Sequence, residues 1–173
     1  IKPFDPLPHQ SAAIAASRAY YEKQSRGKLI MPCGSGKSLT AFWIARDLDA
    51  KTVVVAVPSL ALIKQSIKSW TREYLAHDIQ PNWLAVCSDD SVGDMSRDEF
   101  VSSVYDLGIE TTTKESQIIK FLEEQKDDTP RIIFTTYQSG ELLSRAVLES
   151  EIKIDLAIFD EAHKTVGDKK KRF

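Results

Sequence analysis

Six consecutive residues, Thr52-Val53-Val54-Val55-Ala56-Val57, constrain the fold of this chain more than any other stretch. β-Branched side chains favour extended backbone, and apolarity without alternation leaves neither face for water. Such a strand belongs inside a parallel sheet covered on both sides. Pro58 stops it, and Ser59 carries the hydroxyl of a helix N-cap. Leu60, Ile63, Ile67, Trp70 and Tyr74 then recur at three- and four-residue spacing, the apolar face of one helix.

The same reading predicts strands at Lys28–Met31, Trp83–Cys87, Arg131–Thr136 and Ile154–Phe159. Helices are predicted at Gln10–Gln24, with Ile14, Ala15, Tyr20 and Tyr21 among its apolar positions, at Leu39–Leu48, around Ile118 to Leu122, and at Leu142–Leu148. Thr112 and Glu115 have the spacing of a capping box. Ser88 to Thr113 is weakly periodic and acid-rich, and reads as an irregular acidic insertion, 88–113, within a single domain spanning 1–173. Strands alternating with helices give an α/β fold, a doubly wound parallel sheet flanked by helices.

Composition excludes several classes. At 173 residues, 42% hydrophobic and 28% charged, the chain buries a core without disulfide staples, and its two cysteines have no metal-ligand spacing. No run approaches a membrane span, so a cytoplasmic location and a monomeric fragment are expected. The net charge of −2 means that any nucleic acid must bind in a local groove rather than on a basic surface.

The chemistry starts at Met31-Pro32-Cys33-Gly34-Ser35-Gly36-Lys37-Ser38, between an apolar run and a helix. Gly34 and Gly36 let backbone N–H groups converge on an anion, and the helix start adds its positive dipole end. Pro32 to Ser38 is therefore a candidate phosphate loop, with Lys37 on the outer phosphates and the Ser38 hydroxyl on Mg²⁺. The general G-x-x-x-x-G-K-[ST] pattern wants glycine where Met31 stands, so the tight turn must rest on Pro32 and Gly34. The plain alternative is an ordinary turn at a helix start. Asp160-Glu161, directly after an apolar strand, tips the balance. Asp160 is placed to hold Mg²⁺, largely through water, opposite Ser38, and Glu161 to orient the water that attacks the γ-phosphate. ATP and Mg²⁺ are the expected cofactors.

Asp160-Glu161-Ala162-His163 resembles motif II of the DEAH-type superfamily 2 helicases and translocases, and Met31 to Ser38 resembles their motif I, whose first glycine is often replaced. Leu7-Pro8-His9-Gln10 is similar to the upstream glutamine motif, and Val57 to Gln65 and Thr135-Thr136-Tyr137-Gln138-Ser139 are similar to motifs Ia and Ib. The resemblance implies a RecA-like P-loop NTPase domain, the first of a two-domain motor. It implies that Gln10 reads the adenine edge and that His163 couples the nucleotide to the nucleic acid. It also implies that Pro58, Ser59, Leu60, Gln65, Thr136 and Tyr137 touch a bound strand. Within the superfamily the chain looks most like the DNA motor of type ISP, type I and type III restriction enzymes, which favours DNA over RNA. A DEAH-type RNA helicase, a non-motor nucleotide switch or scaffold, and a small-molecule P-loop kinase are the rival readings. No motif III, second RecA-like domain or arginine finger lies in these residues, so the fragment alone is expected to be nearly inactive. His9 is read as structural, and Trp43, Trp70 and Trp83 as core.

Overall fold

The computed structural model describes residues 1–88, 107–124 and 128–161. These gather into two compact units, one of Ile1–Ala50 with Lys68–Gln80, the other of Lys51–Ile67 with Pro81 onward.

The second unit holds one parallel sheet. Its strands are β1 (Thr52–Val57), β2 (Asn82–Val86), β3 (Thr111–Thr112), β4 (Arg131–Thr136) and β5 (Leu156–Phe159), in the order β3-β2-β4-β1-β5. β1 pairs with β4 from Thr52↔Arg131 to Val57↔Thr136, and with β5 from Val53↔Leu156 to Ala56↔Phe159. Every residue of β1 is buried, as its unbroken apolar run requires. On one sheet face Val54, Leu84, Val86 and Ile133 pack with Ile118 and Leu122 of helix α4 (Glu115–Glu123) and Leu143 and Ala146 of helix α5 (Gly140–Ser150). Fully burying each Val, Leu or Ile among them stabilises the unit by about 1.5–3 kcal/mol. On the opposite face Trp83 stacks on Phe134, with ring centroids 6.1 Å apart. Asp155 Oδ2 accepts from the Lys51 and Thr52 N–H groups at 3.0 and 2.9 Å, pinning the start of β1 to the approach of β5. That fixes where β5 ends, and with it the backbone of Asp160.

The first unit contains helices α1 (Pro8–Tyr21) and α2 (Lys37–Asp47), the extended segment before α1, and the second half of α3 (Leu60–Ala76). Leu60, Ile63, Ile67, Trp70 and Tyr74 are all buried, as the spacing in α3 predicts. Phe42 meets Trp70 and Tyr74 edge to face at 5.6 and 5.0 Å. Glu73, wholly buried, accepts from the Phe4 N–H with both carboxylate oxygens and pairs with Arg72, whose guanidinium lies 3.5 Å from the Phe4 ring centre.

Three expectations need correction. Lys28–Met31 forms no strand; Leu29 is 48% and Ile30 80% exposed. None of the described strands pairs with this run, and Pro32, without an N–H, cannot extend a ladder. The helix expected at Gln10–Gln24 runs instead from Pro8 to Tyr21, and within it only Gln10 is buried. The capping box at Thr112 is absent: Thr112 ends β3, its hydroxyl accepts from the Lys114 N–H at 3.0 Å and meets Gln117, and Lys114 is the N-cap. The acidic insertion falls mostly outside the described residues, as does His163.

Candidate nucleotide site and family

The candidate phosphate loop lies in the first unit. Gly34 and Gly36 have φ of +75° and +78°, a left-handed backbone that glycine adopts without steric cost. Between them Ser35 turns back, its N–H and hydroxyl both donating to the Pro32 carbonyl at 3.4 and 2.7 Å. The turn thus closes on Pro32, at the position the missing glycine had pointed to. Cys33 is exposed. Gly36 is the N-cap of α2, so Lys37 and Ser38 stand in its first turn, where backbone N–H groups have no helical partner and attract an anion. Thr40 returns its N–H and hydroxyl to the Gly36 carbonyl at 3.0 and 3.1 Å, and the Trp70 indole N–H holds the Ser38 carbonyl at 3.0 Å. The helix start is therefore anchored from both sides. Ser38 Oγ is buried and, among the described residues, has no hydrogen-bond partner. A buried hydroxyl left in this way suits a cation ligand. No cluster of three or more His, Cys, Asp or Glu side chains that could hold a metal occurs among the described residues.

Gln10 touches this loop directly. Its Nε2 donates to the Ser35 carbonyl at 3.0 Å, and its Oε1 accepts from the Leu7 N–H at 2.8 Å. His9 Nε2 donates to the same Ser35 carbonyl at 3.1 Å. His9, read from the sequence as structural, has that role here; its particular partner was not foreseeable, because a loop carbonyl acceptor carries no sequence signature.

The carboxylate pair lies in the second unit, at the carboxyl ends of adjacent parallel strands. The register Val57↔Thr136 and Ala56↔Phe159 brings Pro58, Tyr137 and Asp160 to one edge, where ligands meet open α/β sheets. The Asp160 N–H still donates to the Ala56 carbonyl at 2.9 Å, while Glu161 leaves the sheet with φ of +53°. Asp160 Oδ1 accepts from the Glu161 N–H at 2.9 Å. The Tyr137 hydroxyl donates to the Asp160 carbonyl at 2.5 Å, and its ring stacks on Phe159 at 6.5 Å. Burial first, then the Asp160 and Glu161 carboxylates, push the Tyr137 hydroxyl up to about 12. It stays a neutral donor at physiological pH.

The other strand-contact candidates divide. Gln65 is exposed. Ser59 is buried and its hydroxyl accepts from the Leu62 N–H at 3.4 Å, an N-cap role. Leu60 is buried, and Thr136 is fully buried with its hydroxyl turned to Ser139.

The family described as "Type III restriction enzyme, res subunit" (ResIII) matches residues 3–172. The chain belongs to the ResIII family. The ResIII domain is a superfamily 2 motor domain of RecA-like fold, and its family implies use of ATP and a divalent metal. It is 30% identical over 156 residues to the probable helicase A859L of African swine fever virus, in a Kenyan pig isolate and in a Malawian tick isolate. The match covers 89% of the ResIII chain and 16% of those relatives, so the chain spans about a sixth of their length. Among solved structures, a nuclease-deletion mutant of the type ISP restriction-modification enzyme LlaGI in complex with a DNA substrate mimic superposes with a TM-score of 0.74. That match has 26% identity and covers 97% of the ResIII chain and 16% of the enzyme. No helix among the described residues is long and apolar enough to cross a membrane.

Proposed function

We propose that this chain is the ATP-binding part of a DNA translocase of the restriction-modification kind, hydrolysing ATP to drive movement along duplex DNA. The observation that carries the reading is the loop from Pro32 to Ser38, with its two left-handed glycines and a buried Ser38 hydroxyl that has no partner among the described residues. Gln10, whose amide already holds Ser35 and Leu7, reads the adenine edge only through its remaining N–H and lone pair. Backbone N–H groups at the start of α2 and the Lys37 ammonium hold the phosphates. Ser38 and Asp160 are the proposed oxygen donors for Mg²⁺, which when bound offsets charge developing on the phosphates. Glu161 accepts a proton from the attacking water and aligns it. His163 passes the state of the nucleotide to the bound strand. Pro58, Ser59, Gln65 and the backbone at Thr136 contact DNA phosphates; with Ser59 and Thr136 engaged through their hydroxyls, backbone N–H groups are the better donors there. A second RecA-like domain in the parent protein completes the catalytic centre. DNA is preferred to RNA because the similar LlaGI enzyme was solved with a DNA substrate mimic.

The deciding experiment is ATP turnover of the full-length parent with duplex DNA, single-stranded DNA, RNA or no nucleic acid. Stimulation by duplex DNA is expected. Stimulation by RNA alone would replace this reading with that of an RNA helicase.

A further inference from the structure

Tyr137 follows the strand end that the family resemblance assigns to nucleic acid, yet its functional groups are engaged elsewhere. Its hydroxyl donates to the Asp160 carbonyl and its ring lies against Phe159 at 10° between planes. The peptide unit joining Asp160 to Glu161 is thereby held at both ends. Its carbonyl accepts from Tyr137, and its N–H donates to Asp160 Oδ1 at 2.9 Å. This is the unit whose orientation sets the backbone of Glu161, which stands at φ +53°, a region that a residue with a long side chain leaves readily unless it is restrained. Tyr137 also begins the 3₁₀ turn Tyr137–Ser139 that leads into α5, immediately after Thr136.

We propose that Tyr137 is a positioning residue linking the loop after β4 to the hydrolytic carboxylates, so that a nucleic-acid strand bound at that loop sets the orientation of Glu161. The inference rests on the ATPase reading above. A shift of the 3₁₀ turn on strand binding would tighten or release the bond to the Asp160 carbonyl and rotate the Asp160–Glu161 peptide. The Glu161 carboxylate would move with it. Tyr137 is then no contact for the bound strand, contrary to the role the resemblance implies for it.

The test uses the full-length parent and Tyr137→Phe, which keeps the ring and deletes the hydroxyl. ATP turnover with saturating duplex DNA should fall roughly 10–100-fold, as for a misplaced catalytic group. The KM for ATP and the Kd for DNA should stay within about twofold, because ground-state binding is untouched. Phe159→Leu, which keeps the hydroxyl and removes the stacking partner, should retain most of the turnover. Two results overturn the proposal: unchanged turnover in Tyr137→Phe, or an equal loss in Phe159→Leu, which would assign the effect to packing. Weaker DNA binding with normal turnover at saturation would also overturn it, returning Tyr137 to the role of strand contact. A wild-type parent lacking DNA-stimulated turnover fails at an earlier step and overturns the motor reading itself.

Discussion

Gly36 answers to two constraints at once. Its φ of +78° is left-handed, and a Cβ built there would stand 2.4 Å from Gln10 Nε2. Gly36→Ala therefore costs about 1–2 kcal/mol in backbone conformation alone. It also displaces the Gln10 amide from Ser35 and Leu7. A lower urea midpoint together with weaker nucleotide binding is expected, and unchanged binding would mean that the Gln10 brace does not shape the loop. Glu161 makes the opposite kind of prediction. Glu161→Gln keeps the side chain's size and removes its basicity, so ATP should still bind while turnover falls roughly 10²–10⁴-fold. Equilibrium binding of a fluorescent ATP analogue, measured beside single-turnover hydrolysis, separates the two effects.

At the scale of elements, the second half of α3 is a strap for the N-terminal segment. Glu73 takes the Phe4 N–H, and Arg72 covers the Phe4 ring while donating to the Lys2 carbonyl at 3.1 Å. Glu73→Gln leaves a neutral acceptor where a buried carboxylate balanced Arg72, and should lower stability by about 1–3 kcal/mol in urea unfolding. At the next residue, burial raises the Tyr74 hydroxyl from 10.0 to about 12, with Arg46 opposing. The unfolded chain therefore gives up this proton first. Stability is fully present below pH 10 and is lost as pH rises towards 12; Tyr74→Phe should flatten that part of the profile. β1, α3 and β4 were legible in the sequence because continuous apolarity and a 3.6-residue period leave one solution each. β3 was not, since two threonines carry no periodicity and owe their strand to the neighbouring β2. Lys28–Met31 was misread because a four-residue apolar run says nothing about whether a partner edge is available. In the candidate site, the turn at Gly34 and Gly36 was legible because a left-handed backbone needs glycine; the chemistry of Lys37, Asp160 and Glu161 stands as proposed. The partners of His9 and Tyr137 were not legible, because both donate to backbone carbonyls that any residue supplies.

For the molecule as a whole, we expect the ATPase chemistry to be divided. An arginine finger is worth roughly 10³–10⁵ in turnover, and we expect a second domain to supply it. The isolated 173 residues should bind nucleotide weakly and hydrolyse it at least about 10³-fold more slowly than the parent. Comparable rates from both would show that the chain needs no partner domain. The sheet order also imposes a schedule on synthesis. β1, the most apolar strand, takes its two neighbours from β4 and β5, so Thr52 waits for Arg131 and Val53 for Leu156. At roughly 5–20 residues per second on the ribosome, that wait is on the order of ten seconds. During this interval Val53–Val57 has neither strand neighbour, the condition in which an unbroken β-branched run is prone to aggregate.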